Sequence, residues 1–115
     1  ASHGIGHILG GTAGMPHGET SCVMLPHVLR YNAASNSAQQ TVLAEIMGNK
    51  KTELADHVQQ LVAELGLPGR LRDADVPKEL LRTLAEESLL DIWIATNPHP
   101  LNSVDEILEL LTKAW

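Results

Sequence analysis

The chain has 115 residues, enough for one domain with a buried core. Its 43% apolar content includes no Phe, one Tyr and two Trp, so the interior must be aliphatic and Leu-rich. The net charge of −6 comes from scattered acids without a basic cluster, which argues against nucleic acid as a partner, and no apolar run reaches the roughly 18 residues of a membrane span.

In chain order, the opening "HGIGHILGG" is unusual, because glycine inside a helix costs about 1 kcal/mol relative to alanine. A helix there needs packing to hold it, and such small residues let a ligand or another backbone come close. "AGMPHG" reads as a tight connection. "ETSCVMLPHVLRYN" reads as a buried helix, and Pro26 inside it predicts a kink near Met24 to Pro26. A shorter helix over 37–47 ends at Gly48.

Further on, Leu54, Val58, Leu61, Val62 and Leu65 recur at helical spacing, with Thr52 as the expected cap and Gly66 and Pro68 as the stop. "RLRDADV", residues 70–76, is the one place where a short extended piece is expected. Pro77 opens a helix carrying Leu80, Leu81 and Leu84. Ser103 with Glu106 three residues later is a capping box for a last helix, whose stripe is Val104, Ile107, Leu108, Leu111 and Trp115. The expected fold class is all-α, a bundle forming a single domain over residues 1–115.

Four of the six histidines lie at positions 3, 7, 17 and 27. His3 and His7 share a helix face, and a Gly-rich bend can return His17 to their side. Imidazole is a common ligand of zinc, iron and other transition metals. The spacing alone leaves a second reading open, in which these rings are merely hydrogen-bonded to their surroundings. A metalloprotease motif needs Glu directly after the first His, where this chain has Gly4. Glu19 is close in sequence but fits equally well near the start of a helix. His27 has apolar neighbours and reads as packing, His57 as a solvated ring, and His99 as part of a stiff loop between prolines. Cys22 reads as a small core residue without an activating base. A lone Cys with no visible secretory signal fits a reducing compartment, so a cytoplasmic protein is expected.

"HGIGHILGGTAGMPHGETSCVMLPHVLRYN" resembles the signature that opens the helical domain of iron-containing (group III) alcohol dehydrogenases. That signature runs H-G-x-x-H-x-L-G, then P-H-G, then L-P-H-V-x-x-x-N, and it is matched over residues 3–32. The closing "NPHPLNSVDEILELLTKAW" is similar to the family's end, with His99 where Arg is usual. Within the superfamily, "PHGET" is most similar to maleylacetate reductases, which have a "PHAET"-like stretch. The fold implied is the helical half of the dehydroquinate synthase-like architecture.

The resemblance implies a two-domain oxidoreductase whose α/β nucleotide-binding domain lies outside these residues. NAD(P)H would be bound mainly by that other domain, and hydride would pass between nicotinamide and substrate. Fe2+ or Zn2+ would sit in the cleft, held by an Asp and a His from preceding sequence and by the residues matching His3 and His17. The residue matching His7 would lie beside the metal as a candidate proton relay. The implied substrate is a small molecule, either an alcohol or aldehyde or a maleylacetate-like dicarboxylate.

The cluster stands at the first residues of the chain, so further sequence is expected before it. By itself the chain is expected to bind neither dinucleotide nor metal tightly. Self-association is expected, as a homo-oligomer, with neither nucleic acid nor membrane as a partner. Two other readings compete: a helical binding or scaffold protein without catalysis, and a small stand-alone metal protein using His3, His7 and His17.

Overall fold

The computed structural model describes residues 1–48 and 52–115. Among these it is all-helical, with no strand. The α-helices are α1 (Ser2–Ala13), α2 (His17–Ile46), α3 (Leu54–Glu64), α4 (Leu81–Leu89) and α5 (Val104–Ala114). Three single 3₁₀ turns, Leu71–Ala74, Lys78–Leu80 and Ile94–Thr96, join the later helices. No helix among the described residues is long and apolar enough to cross a membrane.

α1 forms despite its glycines because one side of it is core. Ile5 and Leu9 are fully buried among Val23, Met24, Leu84, Ile107 and Leu111. Burying side chains of this size contributes about 1.5–3 kcal/mol each, enough to offset the glycine penalty. Gly14 ends the helix in the left-handed conformation, at φ 67°, and Met15 N–H donates back to the Leu9 carbonyl. That turn sends the chain directly into α2.

α2 is longer than the sequence suggested, because the helices expected before and after residue 36 run together. The backbone keeps helical dihedrals through Pro26 and departs from them at Asn36 instead (φ −141°, ψ 29°). A buried proline removes one hydrogen bond yet leaves the helix in place. At the break Gln40 gives the backbone an alternative partner, and Asn36 holds the Gln40 amide in place. The Asn36 side-chain oxygen accepts from Gln40, and Gln40 also donates to the Leu29 carbonyl. The stop at Gly48 is present, with φ 97°.

α3 packs along the distal half of α2. Its N-cap is Glu53 rather than Thr52, and no side-chain cap bond forms. Gly66 closes it at φ 69°, as its sequence position implied, while Leu61 and Leu65 of the expected stripe remain exposed. The stretch expected to be extended near residue 70 is a 3₁₀ turn ending in Asp75, at φ 59°. No strand partner faces it, and burial of Leu71 and Val76 fixes its path. Pro77 precedes a 3₁₀ turn rather than opening α4 itself. At α5 the capping box is complete: Ser103 Oγ accepts from Glu106 N–H, and Glu106 accepts from Ser103 N–H. α4 and α5 pack on each other and on the first two helices, so α1 lies between the start of α2 and the end of α4.

A candidate site of converging imidazoles

Ile5 and Leu9 point α1 inward, and the 3.6-residue period then turns His3 and His7 outward. His17 is the first residue of α2, brought back by the turn at Gly14. The ring centres of His3 and His7 are 4.1 Å apart, those of His3 and His17 5.7 Å, and those of His7 and His17 6.2 Å. All three residues are exposed, so the cluster faces an open mouth. The structure therefore brings together the three site residues singled out in the sequence.

The glycines around them have a steric role. A Cβ on Gly6 would stand 2.9 Å from Thr20 Oγ1, and one on Gly4 would stand 3.0 Å from Asp91 Oδ1. Thr20 is fully buried and donates to the His17 carbonyl at 2.7 Å. Gly6 thus lets α1 approach the first turn of α2 closely, which sets the distance from His3 and His7 to His17.

Sequence reasoning missed two neighbours. Asp91, in the turn after α4, meets His7 Nδ1 at 3.2 Å and accepts the Trp93 N–H at 2.8 Å. The Trp93 ring lies 6.2 Å from His3. Neither residue belongs to a recognisable local motif, and only the packing of α4 against α1 brings them to the mouth. Asn32 and Asn97 were missed as well. Their buried side chains exchange two hydrogen bonds, at 2.6 and 3.1 Å, tying α2 to the proline loop.

The remaining histidines lie apart from the mouth. His99 bonds Ser35 through Nδ1 at 3.0 Å and packs edge-on to Tyr31. His57 is half-buried rather than simply solvated. His27 is half-buried beside a cavity of about 360 Å³ between α2 and α5, with Tyr31, Glu106 and Lys113 among its neighbours. Burial, with the positive charges of Arg30 and Lys113, pushes its imidazole below the usual value of 6.5. Cys22 is a free thiol, half-buried in α2. Glu19 stands in the first turn of α2, where the helix dipole favours a carboxylate.

Imidazole nitrogens suit iron and zinc. Two rings on one tetrahedral ion, at bond lengths of about 2.0–2.1 Å, have centres roughly 5 Å apart. The His3 and His17 rings are near this separation. Among the described residues, however, no three His, Cys, Asp or Glu side chains are arranged to hold an ion together. The His3 and His17 rings are thus spaced as a pair of donors would be, which is fewer than a full ligand set among the described residues. A dinucleotide is different, since its phosphates need a Gly-rich turn between strand and helix, and no strand occurs among the described residues.

Comparison with known proteins identifies the family of the domain. All of residues 1–115 match the C-terminal model of the Fe-containing alcohol dehydrogenase family. Dehydrogenase ALT3 of Alternaria alternata is 38% identical over 99% of this chain and 34% of its own length. A maleylacetate reductase of Pseudomonas knackmussii is 34% identical over 98% of the chain and 31% of its own length. The crystal structure of a 1,3-propanediol oxidoreductase superposes with a TM-score of 0.92 at 32% identity, over 99% of this chain and 32% of that one. The chain thus spans about a third of the length of the curated relatives it matches. With the whole chain matched and the helices superposing, the chain belongs to the iron-containing alcohol dehydrogenase family, as its C-terminal helical domain.

Proposed function

We propose that this chain forms the metal- and substrate-facing wall of an NAD(P)-dependent oxidoreductase, with His3 and His17 as metal ligands and His7 as a proton relay. The observation that carries the reading is the convergence of three imidazoles on one open face, held there by buried Gly–Thr packing. Fe2+ or Zn2+ fits the imidazole donors, and the nicotinamide cofactor would be bound mainly by a nucleotide-binding domain outside these residues. When bound, the metal supplies Lewis-acid polarisation of a carbonyl or alkoxide oxygen. His3 and His17 would hold the ion from two helices, α1 and α2. The Thr20 hydroxyl anchors the His17 end of the arrangement. His7 accepts or returns the substrate proton at the ring nitrogen not bonded to Asp91. No hydride step is assigned to the described residues.

The substrate class follows from the family names and from one motif. A 1,3-propanediol oxidoreductase and a maleylacetate reductase both share this domain. The "PHGET" stretch favours the maleylacetate-like dicarboxylate, reduced at a carbon–carbon double bond, over a simple alcohol or aldehyde. His99 is bound to Ser35 through Nδ1 and packs edge-on to Tyr31, so it contributes to the structure of the proline loop.

The test uses the full gene product, assayed for metal content and for turnover of maleylacetate and of simple alcohols, with added ferrous or zinc ion. The wild type is expected to hold a stoichiometric metal. His3→Ala and His17→Ala are expected to lose it while keeping helical content, with activity falling beyond the roughly 10–100-fold of an outer-shell change. Retention of metal and activity by either variant would overturn the assignment.

A further inference from the structure

The carboxylate of Asp91 belongs to none of the roles assigned above, yet both of its oxygens are engaged. Oδ2 meets His7 Nδ1 at 3.2 Å, and Oδ1 accepts the Trp93 N–H at 2.8 Å. Its side chain is 13% exposed, against 40% for that of His7. The group is also walled in, since a Cβ on Gly4 would stand 3.0 Å from Oδ1 and 3.3 Å from Ile94. Gly4 therefore leaves room for a carboxylate wedged between α1 and the turn after α4.

We propose that Asp91 is a positioning residue that fixes the tautomer and the orientation of the His7 ring. The inference rests on the proposed role of His7. An ionised carboxylate only accepts hydrogen bonds, so the proton of a neutral His7 ring must lie on Nδ1. Nε2 then carries the lone pair and is the nitrogen able to take a proton from a reacting group. The opposite tautomer would present an N–H and could not act as a base at that atom. Oδ1 is already engaged by the Trp93 amide, which limits rotation of the carboxylate. One end of the ring is thus held from a segment remote in sequence, while His3 and His17 flank it at the mouth.

A purely structural role for Asp91 is the alternative, because its bond to Trp93 N–H also shapes the turn after α4. Asp91→Asn separates the two. Its amide oxygen keeps the bond to Trp93, while its NH2 donates to His7 Nδ1 and drives the ring proton to Nε2. The experiment is 15N NMR of histidine-labelled, metal-free full gene product at about pH 8, with steady-state kinetics of the metal-loaded protein. The wild type is expected to show His7 protonated on Nδ1, and Asp91→Asn on Nε2. With helical content and melting temperature retained, kcat is expected to fall about 10²–10⁴-fold while KM changes little.

A wild-type ring found protonated on Nε2, or on both nitrogens, overturns the proposal, as does an Asn variant that keeps kcat. The wild-type spectrum decides the tautomer even if the variant fails to fold. Absence of oxidoreductase turnover in the wild type would instead sink the proposed function, and the spectrum would still judge the contact between Asp91 and His7.

Discussion

Gly6 and Gly11 lie on the same helix and meet opposite surroundings. A methyl group on Gly6 would collide with buried Thr20, whose hydroxyl is committed to the His17 carbonyl, whereas one on Gly11 would meet nothing within 4 Å. Gly11→Ala is expected to stabilise the protein by about 0.5–1 kcal/mol through helix propensity alone. Gly6→Ala gains the same propensity but forces a backbone or Thr20 shift that costs about 1–3 kcal/mol. Chemical denaturation of the two variants should therefore move the midpoint in opposite directions. Equal stabilisation of both would show that the close approach of α1 to α2 has no energetic weight. The three imidazoles were legible because residue type and spacing survive in any helical fold. Asp91 was not, since nothing in "LLDIWIA" distinguishes a carboxylate that meets His7 from one in water.

Among the elements, the contact of α2 with α5 has a pH dependence of definite sign. His27 is half-buried there, and its imidazole is held below the value it has in the unfolded chain. The unfolded ring therefore takes up a proton before the folded one does, and unfolding is favoured as the pH falls. The stability that depends on a neutral His27 is complete above about pH 6.5 and is lost as the pH falls from there through the lower folded value. Glu106 is also depressed, chiefly by the backbone amide of Asn102 and the side chain of Ser103. Its contribution is lost only at more acid pH, below the usual carboxylate value of 4.5. Denaturation midpoints measured between about pH 7.5 and 5.5 should therefore decline in the wild type and decline less in His27→Gln. An identical slope in both would remove His27 from the account. At this scale the helix boundaries were well marked, because Gly48 and Gly66 as stops and Ser103 as a start act through local backbone chemistry. The break in α2 was misplaced. Proline looks disruptive in a sequence, whereas the break at Asn36 goes with a Gln40 amide that donates both to the Asn36 side chain and to the Leu29 carbonyl.

Among the described residues, large apolar side chains stay exposed at the distal ends of α2 and α3 and in the turn after α4. Val42 and Ile46 of α2 are 57% and 75% exposed, and Leu65 is exposed at the C-terminal end of the neighbouring α3. Leu90, Ile92 and Trp93 are exposed in the turn beside the imidazole mouth. Apolar surface of this kind marks interaction sites. The full gene product is accordingly expected to associate with itself as a dimer or larger through the distal end of α2 and α3. Light scattering on the wild type and on Ile46→Glu with Leu65→Glu checks this. A monomeric wild type, or a double variant of unchanged mass, would contradict it.

The order of local signals in the chain determined that the domain is helical and where most helices stop, and it singled out His3, His7 and His17 as residues able to meet on one face. Periodicity, capping and left-handed glycines act over a few residues and are written in neighbouring positions. Only the tertiary structure decided that a buried threonine sets the spacing of the rings, that Asp91 meets His7, and that two asparagines bind the proline loop to α2. Those contacts join residues distant in sequence, and they exist because burial of Ile5, Leu9, Leu84 and Leu111 draws the helices together.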